Sequence, residues 1–283
     1  MSEYQDAYMC RVKVFKEKQS NLFYDSSLSV QEILKQTIES KPKAILNRTI
    51  EWEIANIEEV NKTTLYFKLG RTKNTIIGLK DEISGDYQDE EFQINPNTSV
   101  LLDWNMELLL FIPDSELCST KNFPNKLQEL LNACEYAKTH GIIFEIGLID
   151  DPVSFINWIE RSYKVLSFRM TFTPSNLFDA GEDFDKPLSK IADAFGASPY
   201  ENDIKMTNKK RGLNKDAIIK VVKDTAASGA DASAVAQMKK GEKTNRRRLR
   251  NNRAVVRIGS INDNAGRTEA LMKMKEMYEK IKN

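Results

Sequence analysis

Histidine is almost absent: His140 is the only one in 283 residues. A two-histidine metal site, a His-x-x-x-His zinc helix and a two-histidine ribonuclease pair are therefore excluded. His140 stands before Gly141 in Lys138-Thr139-His140-Gly141, the pattern of a helix end where a cation suits the negative pole of the dipole. Cysteine is scarce and odd in number. Cys10, Cys118 and Cys134 include no Cys-x-x-Cys, which argues against a zinc knuckle or a disulfide framework and predicts free thiols in a reducing cytoplasm. Long apolar runs are missing too. Leu108-Leu109-Leu110-Phe111-Ile112 is closed by Pro113 and has the length of a buried strand, far below the ~20 residues of a membrane span. The start, Met1-Ser2-Glu3-Tyr4-Gln5-Asp6, is polar and acidic and does not read as a secretory signal, so a cytoplasmic protein without membrane contact is expected. No Gly-x-x-x-x-Gly-Lys-Ser/Thr, Gly-x-Gly-x-x-Gly or nucleophile elbow occurs, and no cofactor is expected.

What the chain does have is charge sorted along its length. Residues 1–200 carry 21 Lys+Arg against 31 Asp+Glu, a net of −10; residues 201–283 carry 21 against 10, a net of +11. The formal total of +1 conceals both numbers. Between Lys205 and Arg257 stand 16 cations and 4 acids. A basic third of this kind points to a polyanion-binding face, most often for nucleic acid.

The segment Thr244-Asn245-Arg246-Arg247-Arg248-Leu249-Arg250-Asn251-Asn252-Arg253 packs five arginines into ten residues. It reads as a loop held like a finger by flanking strands. Guanidinium forks match phosphate oxygens, and release of condensed counterions drives such binding. The expected phosphate contacts are Arg246, Arg247, Arg248, Arg250, Arg253 and Arg257, extended by Lys209, Lys210, Arg211 and Lys215 and by Lys239, Lys240 and Lys243. The run specifies a polyanion and no base sequence. A solvated loop, or one that pairs with the acidic body, remains the competing account. Gly70-Arg71-Thr72-Lys73 reads first as an exposed hairpin end and second as an added contact.

Carboxylates are numerous but poorly arranged for a metal. Asp179, Glu182, Asp183 and Asp185 cluster without the EF-hand order, and Asp185 before Lys186-Pro187 reads as a helix cap. Glu51-Trp52-Glu53 with Lys68 is a weak match to a nuclease set of Asp…Glu-x-Lys type.

The patterning predicts an α+β fold with mixed or antiparallel sheets and flanking helices. Strands are expected over Tyr8–Phe15, Ile50–Ile57, Thr63–Leu69, within Val100–Ile112, and over Ile142–Ile149 and Val165–Thr173. Helices are expected after Ser27 or Ser29, over Phe123–Thr139 and after Asp151-Pro152. Asp81–Glu91 reads as an acidic connector. Three parts follow in chain order: an acidic α+β body over 1–174, a junction or hinge over 175–203, and a basic part over 204–283. The last has the order β-α-β-β-α, an Arg-rich loop and a closing amphipathic helix. That helix carries Leu271, Met274, Tyr278 and Ile281 on one stripe, for its own domain or for a second copy.

This order of elements resembles the RexA-type phage-exclusion proteins and, more distantly, the KwaB-type subunits of anti-phage systems. The local echoes are Thr63-Thr64-Leu65-Tyr66-Phe67-Lys68, Leu108-Leu109-Leu110-Phe111, and Asp203-Ile204-Lys205-Met206 leading into Ile218-Ile219-Lys220-Val221-Val222-Lys223-Asp224. The resemblance implies a hinged, dimeric α+β protein that binds DNA with little sequence preference in phage defence or superinfection exclusion. It assigns no site residue. Three readings result. The first is a non-enzymatic binder of double-stranded DNA, with RNA as the alternative ligand, acting as a homodimer. The second is a metal-dependent nuclease or toxin-like effector using Glu53 or Asp183. The third is a module for an acidic protein partner.

Overall fold

The computed structural model describes residues 4–16, 29–46, 50–80, 82–172, 200–205 and 212–282. Its class is α+β, with six α-helices and fourteen strands among the described residues. The chain opens with β1 (Gln5–Lys16) and α1 (Val30–Glu39). Ser29 caps α1 in a full capping box: its hydroxyl accepts from Glu32 N–H and the Glu32 carboxylate accepts from Ser29 N–H. Ile33, Leu34 and Ile38 form the buried stripe of α1.

Next come β2 (Lys43–Leu46), β3 (Ile50–Asn61), β4 (Thr64–Arg71), β5 (Lys73–Lys80), β6 (Tyr87–Ile94), β7 (Asn97–Asp103) and β8 (Leu108–Phe111). Three expectations change in this stretch. Strand β3 runs beyond the expected Ile50–Ile57 to Asn61, because the backbone ladder to β4 continues as far as Asn61↔Thr64. The basic loop foreseen at Gly70–Asn74 is the passage from β4 into β5. The acidic connector becomes half of a hairpin, β5 pairing with β6 from Lys73↔Ile94 to Lys80↔Tyr87.

Helices α2 (Phe123–Ala133) and α3 (Glu135–Thr139) replace the single helix expected over Phe123–Thr139. The break is Cys134, whose ψ of 129° is extended. His140 closes α3, its Nδ1 2.8 Å from the Tyr136 carbonyl. The chain goes on through β9 (Ile142–Leu148), α4 (Val153–Arg161), β10 (Lys164–Phe172), β11 (Tyr200–Lys205), α5 (Lys215–Ala227), β12 (Ala232–Gln237) and β13 (Thr244–Arg248). A 3-10 turn (Leu249–Asn251), β14 (Val255–Ile258) and α6 (Asn264–Lys282) complete it. The Asp179–Asp185 carboxylates and the junction, apart from the part of β11 over 200–203, lie outside the described residues.

Two compact units emerge, and they do not follow the expected chain order of body, junction and basic part. One holds residues 16–106 and 111–144; the other holds 1–15, 107–110 and 145–283. The first is built on the sheet order β7-β4-β3-β2, with Trp52, Ile54, Phe67 and Leu69 buried. Its β5–β6 hairpin forms a separate two-stranded sheet.

The second unit joins the beginning of the chain to its end. β1 lies beside β14, with Gln5↔Ile258 to Tyr8↔Val255 in antiparallel register, and it also pairs with β8 and β9. Buried Arg11 on β1 meets Glu107 at 3.0 Å and the Tyr278 hydroxyl of α6 at 3.2 Å. The apolar stripe of α6 is buried here: Leu271, Met274, Tyr278 and Ile281 are each nearly inaccessible, so it serves its own unit and offers nothing to a second copy. A second sheet of the same unit has the order β11-β10-β12-β13. Among the described residues no helix is long and apolar enough to cross a membrane.

Candidate nucleic-acid interface

The sheet β11-β10-β12-β13 has two unlike faces because side chains alternate along each strand. One face carries Val165, Phe168, Met170, Ala232, Ala234 and Ala236, all buried. Helix α5 packs on β10 and β12, and its own buried residues include Val221, Val222 and Ala226. The small alanines of β12 let a helix lie close to the sheet.

The register fixes the opposite face. Ser167 stands beside Lys205 and Val235, Arg169 beside Asp203 and Ser233, Ser233 beside Arg248, and Val235 beside Arg246. Four cations therefore share this face, Arg169 on β10, Lys205 on β11, and Arg246 and Arg248 on β13, and all four are exposed. Small hydroxyl groups fill the space between them. Arg246 Nη2 donates to Ser233 Oγ at 3.2 Å. Asp203 is the counter-charge: it lies 3.0 Å from Arg169 and 3.4 Å from Lys205, and the hydrogen bond from Arg169 holds its carboxyl below the ordinary range. The result is a basic, mostly polar plate, with Val235 its one apolar member and no aromatic side chain on these register positions.

The Arg-rich segment is thus an edge strand and a 3-10 turn, not a loop. β13 pairs antiparallel with β12 from Ser233↔Arg248 to Gln237↔Thr244. Arginines suit an edge, since their long stems lie along the sheet while their charge deters pairing with another chain. The turn between β12 and β13 carries Lys239, Lys240 and Lys243, all exposed, with Lys239 3.8 Å from Glu242. Gly241 takes φ +86° there, which a side chain rarely adopts.

The other expected contacts separate. Arg247 points to the helical face, its guanidinium carbon 5.6 Å from the centre of the Trp158 ring. Arg250 pairs with Asp231 at 3.1 Å. Arg257 is exposed on β14, in the other sheet, 3.7 Å from Asp6. Lys215 donates its ammonium to the carbonyls of Glu160, at 2.9 Å, and Ser162, which closes the end of α4. Lys209, Lys210 and Arg211 lie outside the described residues.

Arg253 departs furthest from the expectation. It sits 2.5 Å from Asp150, whose side chain is 1% exposed, and the two residues form a β-bridge. The bonds Asp151 N–H to the Asn252 carbonyl and Ala254 N–H to the Ile149 carbonyl frame the bridge. Burial raises the Asp150 carboxyl to about 6, against the opposing pull of Arg253. The Arg253 guanidinium, still 23% exposed, is committed to this ion pair. The chain enters the next strand only at Val255–Ile258.

Sequence reasoning missed Arg169 and contributed Lys205 only as part of a charge count. The signal for Arg169 was present in the alternation Val165-x-x-Phe168-Arg169-Met170, which puts a cation opposite two core residues. The nuclease set fares differently. Glu53 and Lys68 line a cavity of about 150 Å³ with Asn56, Asn95 and Asn97. No second carboxylate lines it, and no group of three His, Cys, Asp or Glu placed to hold a metal occurs among the described residues. Asp183 lies outside them. The three cysteines are free thiols. No protein-family model matches the chain, and no curated protein is significantly similar to it.

Proposed function

We propose that this protein binds nucleic acid, with double-stranded DNA as the preferred ligand, through the open face of the β11-β10-β12-β13 sheet. The single observation that carries the reading is the placement of Arg169, Lys205, Arg246 and Arg248 on one exposed face. The lysines of the β12–β13 turn extend it. A flat plate of point charges and forks suits the phosphates of a duplex, and the lack of aromatic platforms disfavours splayed single strands. Binding is largely independent of sequence. A role in phage exclusion follows from the resemblance to the RexA-type proteins and from nothing else.

The test is fluorescence anisotropy with labelled duplex DNA, single-stranded DNA and RNA over a salt series. Neutralising about five phosphates predicts a log–log salt slope of about −4 to −5 for the duplex. Flat traces for all three ligands would overturn the reading.

A homodimer completes the proposal, and the surface that a second copy covers is the β5–β6 hairpin. A lone two-stranded hairpin is marginal in water. This one exposes Ile76 and Tyr87 on one face and Ile77, Leu79 and Phe92 on the other. β5 ends in Lys73 and Lys80, whereas β6 carries Asp89, Glu90 and Glu91. A twofold axis that lays β5 of one copy over β6 of the other matches opposite charges. Sedimentation should show a dimer that Ile77→Asp with Phe92→Ser converts to a monomer; a monomeric wild type would refute this part.

A further inference from the structure

The open face accounts for Arg246 and Arg248 but leaves Arg247 on the helical side. There it lines a cavity of about 420 Å³ together with Ser154, Asn157, Trp158, Arg161 and Asn252. Volumes of about 300–1,000 Å³ are usual for small-ligand sites. None of Arg169, Lys205, Arg246 and Arg248 borders this space, so a ligand held here is independent of the nucleic-acid reading.

The cavity is built by one helix stripe and one strand. Ser154, Asn157, Trp158 and Arg161 stand at i, i+3, i+4 and i+7 along α4. The core stripe of the same helix is Phe155, Trp158 and Ile159. Trp158 belongs to both, buried in the core and lining the cavity. The ring holds the guanidinium of Arg247 by a cation–π contact, while Arg247 itself stays exposed. An arginine pinned on one side by an aromatic ring presents its other side as a ready stacking surface.

The charge around the space is positive. Arg161 and Arg247 face one carboxylate, Asp151, whose Oδ1 already accepts the Val153 N–H at 3.0 Å. Asn157 and Asn252 add two side-chain amides, each with a donor and an acceptor. A ligand that answers all of these features has a phosphate for the arginines, a π-face for the plate and a hydrogen-bonding edge for the amides.

We propose that this cleft binds a nucleotide bearing a terminal phosphate monoester, either as a free nucleoside monophosphate or as the phosphorylated end of a strand. The phosphate lies between Arg161 and Arg247, and the base stacks on Arg247 with its edge toward Asn157 and Asn252.

The experiment is a titration of the full-length protein with AMP, GMP, CMP, UMP and inorganic phosphate, read by tryptophan fluorescence and by calorimetry. At least one monophosphate should bind saturably with Kd of about 10–500 μM. Arg161→Ala and Asn157→Leu, both at exposed positions, should each weaken binding by about tenfold or more with unchanged circular dichroism. A 5′-phosphorylated dinucleotide that binds as well as the monophosphate, where its 5′-hydroxyl form does not, assigns the ligand to strand ends; preference for the free monophosphate assigns it to a small molecule. No saturation by about 10 mM, equal affinity for inorganic phosphate, or affinity unmoved by both substitutions would overturn the proposal. Loss of duplex binding in Arg169→Ala with nucleotide binding intact would leave this site standing and show that the two surfaces act separately.

Discussion

Arginines six residues apart in one short run do opposite work. Arg247 stands at the surface on a tryptophan ring, whereas Arg253 is turned inward onto a carboxylate that is 1% exposed. Removing one partner of a buried pair leaves an uncompensated charge, which typically costs about 3–5 kcal/mol. Arg253→Ala should therefore lower unfolding stability by at most about that amount in urea titrations, since burial already disfavours the Asp150 charge and the carboxyl can take up a proton, while Arg248→Ala, at the exposed end of β13, should stay within about 0.5 kcal/mol of wild type. Equal effects would mean that the pair is not buried in solution. Asp150 also gives a pH signature. Burial lifts its carboxyl from the ordinary 3.8 to about 6, so the folded chain binds that proton more tightly than the unfolded chain. The linked stability is full below about pH 4 and is lost as pH rises through about 6, on the order of 3 kcal/mol in all. In Asp150→Asn the decline of stability between pH 4 and 6 should be absent from the melting curves.

At the scale of elements, the sequence was legible where periodicity meets a recognisable end signal. The helix after Ser29 and the apolar stripe of α6 were both readable in this way. The proposed ligand class also starts from the sequence, since guanidinium forks suit phosphates, but of the five arginines only Arg246 and Arg248 reach the open face. The strand β13 was not legible, because a row of cations has no apolar alternation to read; only its partner Ala232–Gln237, with buried alanines at every second place, sets its period. The β5–β6 hairpin was missed for a related reason, as Asp and Glu are poor strand formers and β6 holds three of them. The plate itself needed a pairing, Arg169 beside Ser233 beside Arg248, that joins distant parts of the chain. Arg169→Ala should weaken duplex binding uniformly across sequences and reduce the salt slope by about 1, as measured by anisotropy. The seam between β9 and the end of α5 gives a separate test of packing. A Cβ built on Gly147 would meet the Gly229 carbonyl oxygen at 2.4 Å, and Gly229 itself takes φ +68°. Gly147→Ala should destabilise the protein by about 1–3 kcal/mol in denaturant titrations, because backbone must move to admit one methyl group.

For the whole molecule, the charge split belongs to chain order more than to the compact units. Residues 16–106 and 111–144 hold 14 Lys+Arg and 19 Asp+Glu, and the rest of the chain holds 28 and 22. A separation of −10 and +11 along the chain softens to −5 and +6 between units, because β1 and the stretch from residue 145 onward join the basic part. The proposed polyanion face is therefore a local arrangement of one sheet and not a property of a basic domain. The chain passes between the units four times, after residues 15, 106, 110 and 144, so no single cut separates them. This decides how a truncation behaves. A fragment of residues 201–283 keeps β12, β13, β14, α5 and α6 but loses β10, the antiparallel partner of both β11 and β12, and β1, the partner of β14. It also loses Phe168 and Met170 from the buried face of the plate and Arg11 from the contact with Tyr278. What is left has one strand pair, β12 with β13, and two helices whose buried faces have lost much of their cover. Such a fragment should show no cooperative thermal transition by circular dichroism and should bind duplex DNA only as a basic disordered chain does, with affinity that vanishes by moderate salt. A sharp transition in the fragment would mean that the basic third folds on its own and that the strands contributed by β1 and β10 are dispensable to the plate.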